Sequence, residues 1–165
     1  MEQVNTEVRY AGFWLRFAAY LIDSLVMSAG GLIIAIPLIF GIVGFAVGLD
    51  DIDRPEDFLE SGKWMYLGGI IGLILLASLL GLVMGWLYYA LMESSKHGGT
   101  LGKIAVGIKV VDMNGNRVSF GKATGRYFSR IVTNMTFLVG FIMAGFTDKK
   151  QALHDIIASC LVVIR

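Results

Sequence analysis

Between Trp64 and Met92 the chain runs for 29 residues without a charge. No water-soluble fold hides an apolar run of that length, so a membrane is the solvent this segment is built for. Trp64 and Tyr66 mark one end, and Trp86, Tyr88 and Tyr89 the other. Tyr66 and Trp86 are 20 positions apart, about 30 Å of helix, which matches the separation of the two aromatic belts of a bilayer. Residues 64–92 are therefore read as a transmembrane helix.

A second apolar run, residues 13–49, holds only two charges in 37 residues, Arg16 and Asp23. As a helix it would be about 55 Å long against a hydrocarbon core of roughly 30 Å, so it must tilt or bend. Gly30-Gly31 and Pro37 are the places for a bend, because glycine weakens the helical ladder and proline removes a donor from it. Residues 50–63 between the two helices carry six acids and two bases. Residues 93–130 carry seven bases and two acids. By the positive-inside rule the basic segment and the N-terminus are expected in the cytoplasm and the acidic loop outside. Within the basic segment, Ile108–Asp112 and Arg117–Phe120 flank Asn114-Gly115, a type I′ turn pair, which predicts a short β-hairpin. Residues 131–146 are apolar but short, about 24 Å as a helix, so this third segment is read as re-entrant or interfacial, with a full span as the competing reading. The tail, 147–165, ends in the β-prone run Cys160–Ile164, expected to pair with the hairpin. The predicted fold class is a mainly α-helical membrane protein: two long transmembrane helices, a short third membrane segment and a small cytoplasmic β-hairpin, in a single domain.

Composition agrees. With 56% hydrophobic and 16% charged residues and a mean hydropathy of +0.70, the chain lies outside the soluble range. Its 21 glycines suit close helix contact. A net charge of +1 gives no reason to expect nucleic acid as a partner. Cys160 is the single cysteine, read as a small apolar filler. The start of the chain carries Glu2, Glu7 and Arg9 before a long apolar run, unlike a cleaved signal peptide, so the first segment is expected to stay as an anchor.

Arg16 and Asp23 are seven positions apart, on one helical stripe about 10 Å long. Arg16 can snorkel to the interface. Asp23 lies deeper, where an ionised carboxylate costs at least ~2.5–3.5 kcal/mol unless paired or functional. The pairs Gly44/Gly48, Gly68/Gly72 and Gly81/Gly85 have the spacing of close helix contacts, within one chain or between two. Gly98-Gly99-Thr100-Leu101-Gly102-Lys103 is not a Walker loop, since His97 and Ile104 stand where glycine and Ser or Thr are needed. Its lysine, like the whole basic segment, suits phosphate head groups. His97 and His154 have no ligand partners at metal spacing. No nucleophile arrangement stands out, so neither a cofactor nor an enzymatic activity is expected.

Phe13-Trp14-Leu15-Arg16 with Asp23, Thr100-Leu101-Gly102-Lys103 leading into Val110-Val111-Asp112, then Arg126, Asp148 and His154-Asp155 together resemble the RDD family of small membrane proteins, over about residues 11–163. That family is named for one arginine and two aspartates. The resemblance puts Arg16 and Asp23 in the first two places and Asp155 in the third, with Asp148 as the alternative. The acidic, glycine-containing stretch 48–63 departs from the family pattern. Transport of small solutes or ions is what the resemblance implies. The expected site is Asp23, Arg16 and Asp155, supported by Asp148, His154, Arg126 and Lys103. Two functions compete: an oligomeric exchanger in which Asp23 alternately holds a proton and a monovalent cation, and a non-transporting scaffold that docks lipids or partner proteins. Expected partners are membrane lipids and further copies of the chain or other membrane proteins. The expected location is a bacterial inner (cell) membrane, crossed more than once. Arg16 and Asp155, each needing a partner, are expected to meet where the tail returns to the membrane surface.

Overall fold

The structure, a computed structural model, describes residues 8–47, 56, 62–136 and 139–165. Most of the acidic loop, and Gly48 with it, lies outside the described residues. Two long helices dominate, α1 (Phe13–Val47) and α2 (Lys63–Glu93), both long and apolar enough to cross a membrane. Helix α1 continues through Gly30-Gly31 and Pro37 as one element. Then follow α3 (Leu101–Ala105), β1 (Ile108–Asp112), α4 (Phe120–Met135), α5 (Val139–Phe146), α6 (Leu153–Ile157) and β2 (Cys160–Ile164).

The chain divides into two compact units, Val26–Met84 and a second made of Met1–Leu25 with Gly85–Arg165. Between Val26 and Met84 no described residue is buried. Leu25, Ile33, Phe40 and Leu75 are among the many large apolar side chains left exposed along α1 and α2, as helices facing lipid require. The second unit has a true core of Ile108, Val110, Val118, Cys160 and Val162 packed with Ala11, Ala19 and Ala90. Cys160 is wholly buried there with its thiol free.

The core is held by an antiparallel pair, β1 with β2, in the register Ile108 to Ile164 through Asp112 to Cys160. Tyr10 bridges Val163 on the other side of β2, and Ala11 N–H donates to the Val162 carbonyl at 2.8 Å. The two ends of the chain are thus joined beside β1. The predicted hairpin is formed only at its turn. Asp112 Oδ1 accepts from the N–H groups of Asn114 and Asn116, Gly115 takes φ +82°, and one bridge, Val111 to Arg117, closes the loop. Beyond it the expected second arm becomes helix, because Ser119 caps α4 by accepting from Lys122 N–H, a helix-start device that overrides the β pattern of Arg117–Phe120. The sheet partner of β1 is the C-terminal run instead.

Residues 131–146 do not form one helix, and their first part continues a helix that starts at Phe120. Helices α4 and α5 form a pair bent by 105°. Thr136 Oγ1 donates to the Thr133 carbonyl and accepts from Gly140 N–H, which supplies partners for the backbone opened by the break. Gly140 is tightly enclosed: a Cβ there would stand 2.8 Å from Thr133 Cγ2.

Candidate functional site

Asp23 stands on α1 and is buried, but it does not pair with Arg16. Its Oδ1 accepts from Tyr88 Oη at 2.8 Å and Gly102 N–H at 2.8 Å, and its Oδ2 accepts from Thr100 Oγ1 at 2.6 Å. Tyr88 Oη in turn accepts from Leu101 N–H at 3.1 Å. The first amides of α3, which have no partner inside that helix, are therefore satisfied from α1 and α2. Only glycine fits at position 102, because a Cβ would overlap the Ala19 carbonyl oxygen and come within 2.9 Å of Asp23 Cγ. Thr100-Leu101-Gly102 is thus a docking edge for the Asp23 carboxylate.

Arg16, one turn into α1, spends its guanidinium at the base of the fold. Nε donates to the Ala11 carbonyl at 2.8 Å, Nη2 to the Lys150 carbonyl at 2.6 Å, and Nη1 to Asp155 Oδ2. Asp155 also accepts from its own helix start, Ala152 N–H, at 3.1 Å. Arg126, on α4 and 1% exposed, joins the two acids. It meets Asp155 Oδ1 through Nε at 2.8 Å and Nη2 at 2.7 Å, and Glu93 Oε1 through Nη1 at 2.6 Å. Glu93, the last residue of α2, also receives Lys103 Nζ at 2.5 Å and Arg130 Nη2 at 3.3 Å on that same oxygen. The path Arg16, Asp155, Arg126, Glu93, Lys103 is one continuous buried ion network.

Burial alone would raise the Asp155 carboxyl, but Arg126 and Arg16 outweigh it and hold it well below the usual carboxylate range. Burial pushes Lys103 down to about 8, against the opposing pull of Glu93. It pushes His154 down to about 2, with Asp155 opposing. The ring is therefore neutral, its Nδ1 3.4 Å from Thr133 Oγ1 and its Nε2 3.4 Å from Asp155 Oδ1.

The network forms one wall of a cavity of about 390 Å³. Arg16, Lys103, Arg126 and Arg130 line it, with Asp23 as the one carboxylate among the described residues, while Phe17, Tyr20 and Ile142 make much of its apolar side. Of the residues expected from the sequence, Arg16, Asp155, Arg126, His154 and Lys103 come together in the network, and Asp23 sits across the cavity in its own bonds. Asp148 is exposed in the turn after α5. Glu93, Arg130, Tyr88, Thr100 and Gly102 were not expected. A signal for Glu93 exists: an acid at a helix C-terminus opposes the dipole and needs a reason to be there.

Taken together, the two long apolar helices and the ion-paired base define a multi-helix membrane protein whose fold is closed by buried charges. The chain belongs to the RDD family, whose model matches residues 10–159. It is 41% identical over 155 residues to the uncharacterized protein YxaI of Bacillus subtilis (strain 168), covering 94% of this chain and 97% of that protein. It is 31% identical over 160 residues to the uncharacterized membrane protein YteJ of the same organism, covering 93% and 80% respectively. No solved structure matches the chain significantly.

Proposed function

We propose that the chain is a non-enzymatic membrane binding protein, which offers a rigid, cation-rich cavity to lipids or partner membrane proteins. The supporting observation is the inventory of the cavity wall among the described residues, four cationic side chains against the carboxylate Asp23, with Glu93 and Asp155 behind the wall offsetting two of the four. Both oxygens of that carboxylate are already taken by neutral donors. A cation entering would meet net positive charge and would have to displace bonds that tie α1 to α3. The bridge between Tyr10 and Val163 favours both chain ends on one side, and the excess of bases in 93–130 favours the cytoplasmic face of a cell membrane.

The second reading, an oligomeric exchanger of protons for small cations, draws on the position of Asp23, a carboxylate on a membrane helix that lines the cavity. Ion flux into proteoliposomes decides between them. The binding reading expects no pH-driven flux of sodium or potassium above protein-free vesicles. Flux in the wild type that Asp23→Asn abolishes would establish the exchanger instead. For orientation, single cysteines at Ser61 and Ser95, with Cys160→Ser, should label from opposite sides, Ser95 from the cytoplasm.

A further inference from the structure

Three cations converge on Glu93 Oε1, and they do so unequally. Arg126 is fully engaged between Glu93 and Asp155. Arg130 reaches Glu93 through one long contact of 3.3 Å and lies with its guanidinium 4.2 Å from the centre of the Tyr89 ring. A guanidinium carries five N–H donors and an ammonium three. Arg130 also interacts with the Tyr89 side chain, and Lys103 Nζ donates to Glu93 and lies 5.6 Å from the centre of the same ring, so each keeps N–H donors beyond those engaged among the described residues. Both side chains line the cavity, and so does the exposed Asn134. The same cavity is bounded by Phe17, Tyr20 and Ile142, which are 42%, 59% and 45% exposed. Phe17 and Tyr20 belong to α1, a helix fit to cross a membrane.

Uncommitted cationic donors at the base and exposed apolar side chains at the rim are complementary to an anionic amphiphile. We propose that this cavity holds the headgroup of an acidic phospholipid, its phosphate against Arg130 and Lys103 and its acyl chains along Phe17, Tyr20 and Ile142. The assignment rests on the binding reading above and names its ligand. A free phosphate ion would satisfy the donors but leave the apolar rim uncovered, in a space of about 390 Å³ much larger than the ion. A choline headgroup carries the same phosphate but adds a cation of its own, which a wall with a net positive charge repels. Arginine suits the task because its planar fork matches a phosphate.

The test uses the full-length protein, purified in a neutral detergent and offered equimolar phosphatidylglycerol and phosphatidylcholine, with retained lipid counted by native mass spectrometry. Phosphatidylglycerol should be retained in clear preference. Arg130→Gln should reduce that preference about tenfold, the loss of one charge-assisted contact. Arg130→Lys should restore part of it, and Lys149→Gln, an exposed cation outside the cavity, should leave it intact. The proposal is overturned if Arg130→Gln keeps the wild-type preference, if Lys149→Gln lowers it equally, or if inorganic phosphate at equal concentration strips the lipid. Should Arg130→Gln fail to fold, Tyr20→Glu at the exposed rim takes its place. Loss of retained phosphatidylglycerol with an unchanged melting temperature supports the site, and unchanged retention sinks it. Equal retention of the two lipids by the wild type would remove this ligand and leave the binding reading standing, because that reading falls only to Asp23-dependent cation flux.

Discussion

Among the described residues, glycines that a methyl group would crowd occur in one unit of this chain and not in the other, although Gly12, Gly107, Gly115, Gly121 and Gly125 of the first are open as well. In the unit that carries the charge network, Gly98, Gly99, Gly102 and Gly140 lie against backbone or side chains at distances that leave little or no room for a methyl group. Between Val26 and Met84, a Cβ added at Gly30, Gly44, Gly68, Gly72 or Gly81 would meet nothing within 4 Å. The packed aromatics lie in the first of these units, though Trp14, Tyr20 and Phe146 of that unit are exposed too. Trp86 donates to Thr124 Oγ1 at 3.2 Å and packs beside Phe120 and Phe128, whereas Trp64 and Tyr66 are 53% and 71% exposed. One unit is held by its own contacts and by buried charge. The other has the composition of a core but no buried residue among those described, as suits helices that face lipid or another protein.

The comparison makes single substitutions a sharp probe, and the largest difference is expected at Arg126. Removing it takes away the cation that Glu93 and Asp155 share and leaves Lys103 and Arg130 on one and Arg16 on the other, so the loss should lie near the lower end of the about 3–5 kcal/mol of a broken buried pair. Arg126→Ala should therefore fail to accumulate as folded protein or melt far below the wild type. Leu76→Ala, at an exposed position of α2, should change detergent-phase stability by less than ~0.5 kcal/mol. Comparable losses from the two would mean that the charge network does not dominate the fold. Within the network, Arg16→Ala and Asp155→Ala share one interaction and should be non-additive by ~0.5–3 kcal/mol in a double-mutant cycle.

Gly102→Ala comes next. The added methyl overlaps the Ala19 backbone and presses on Asp23, and overpacking of this kind costs about 1–3 kcal/mol. Because α3 must then move off Asp23, the loss should exceed that of Tyr88→Phe, which removes one donor to Asp23 and one acceptor for Leu101. A Gly102→Ala protein with wild-type melting would show that α3 is not docked through Asp23.

The division into units was not read from the sequence, which suggested a single domain, but much of the fold was legible beforehand, and for identifiable reasons. Helices α1 and α2 announce themselves because lipid demands long uncharged runs and tolerates little else. The pairing of Arg16 with Asp155 followed from two charges in apolar surroundings that both needed partners. What resisted reading depends on local competition or on long range. Ser119 turned an apparent β arm into the start of α4, since one capping bond outweighs a short alternating pattern. Asp23 was expected to act on its own helix stripe, yet its partners, Tyr88, Thr100 and Gly102, lie 65 to 79 residues away. Glu93 was read as an end of the uncharged run, because no local feature shows three cations arriving from α3 and α4.

The unit that carries the charge network should also respond to pH. His154, held neutral with its pKa depressed from 6.5 to about 2, binds a proton in the unfolded chain sooner than in the folded one. Its contribution is whole above pH 6.5 and is lost as pH falls below that, by up to about 1.4 kcal/mol per pH unit. Asp155, also depressed, keeps its contribution above the ordinary carboxylate value of 3.8 and loses it only in stronger acid. Thermal melts between pH 7 and 4.5 should therefore fall with acid in the wild type and flatten in His154→Gln. An equally steep slope in that variant would assign the acid sensitivity to other groups.

The smallest effect carries the most information about the lipid-facing unit, because its sign is diagnostic. Alanine is preferred over glycine in a helix interior by about 0.8–1.0 kcal/mol, and the space around Gly72 is open. If that space is filled only by lipid or detergent, Gly72→Ala should leave melting unchanged or raise it slightly, the opposite of Gly102→Ala. If Gly68 and Gly72 form a contact face for a second copy, the same methyl should weaken association in a bilayer while leaving the detergent monomer alone. Subunit exchange or cross-linking in nanodiscs, set beside melting in detergent, separates the cases. A loss of stability already present in the monomer would erase the comparison, since it would require within Val26–Met84 the packed neighbours that this unit lacks among its described residues.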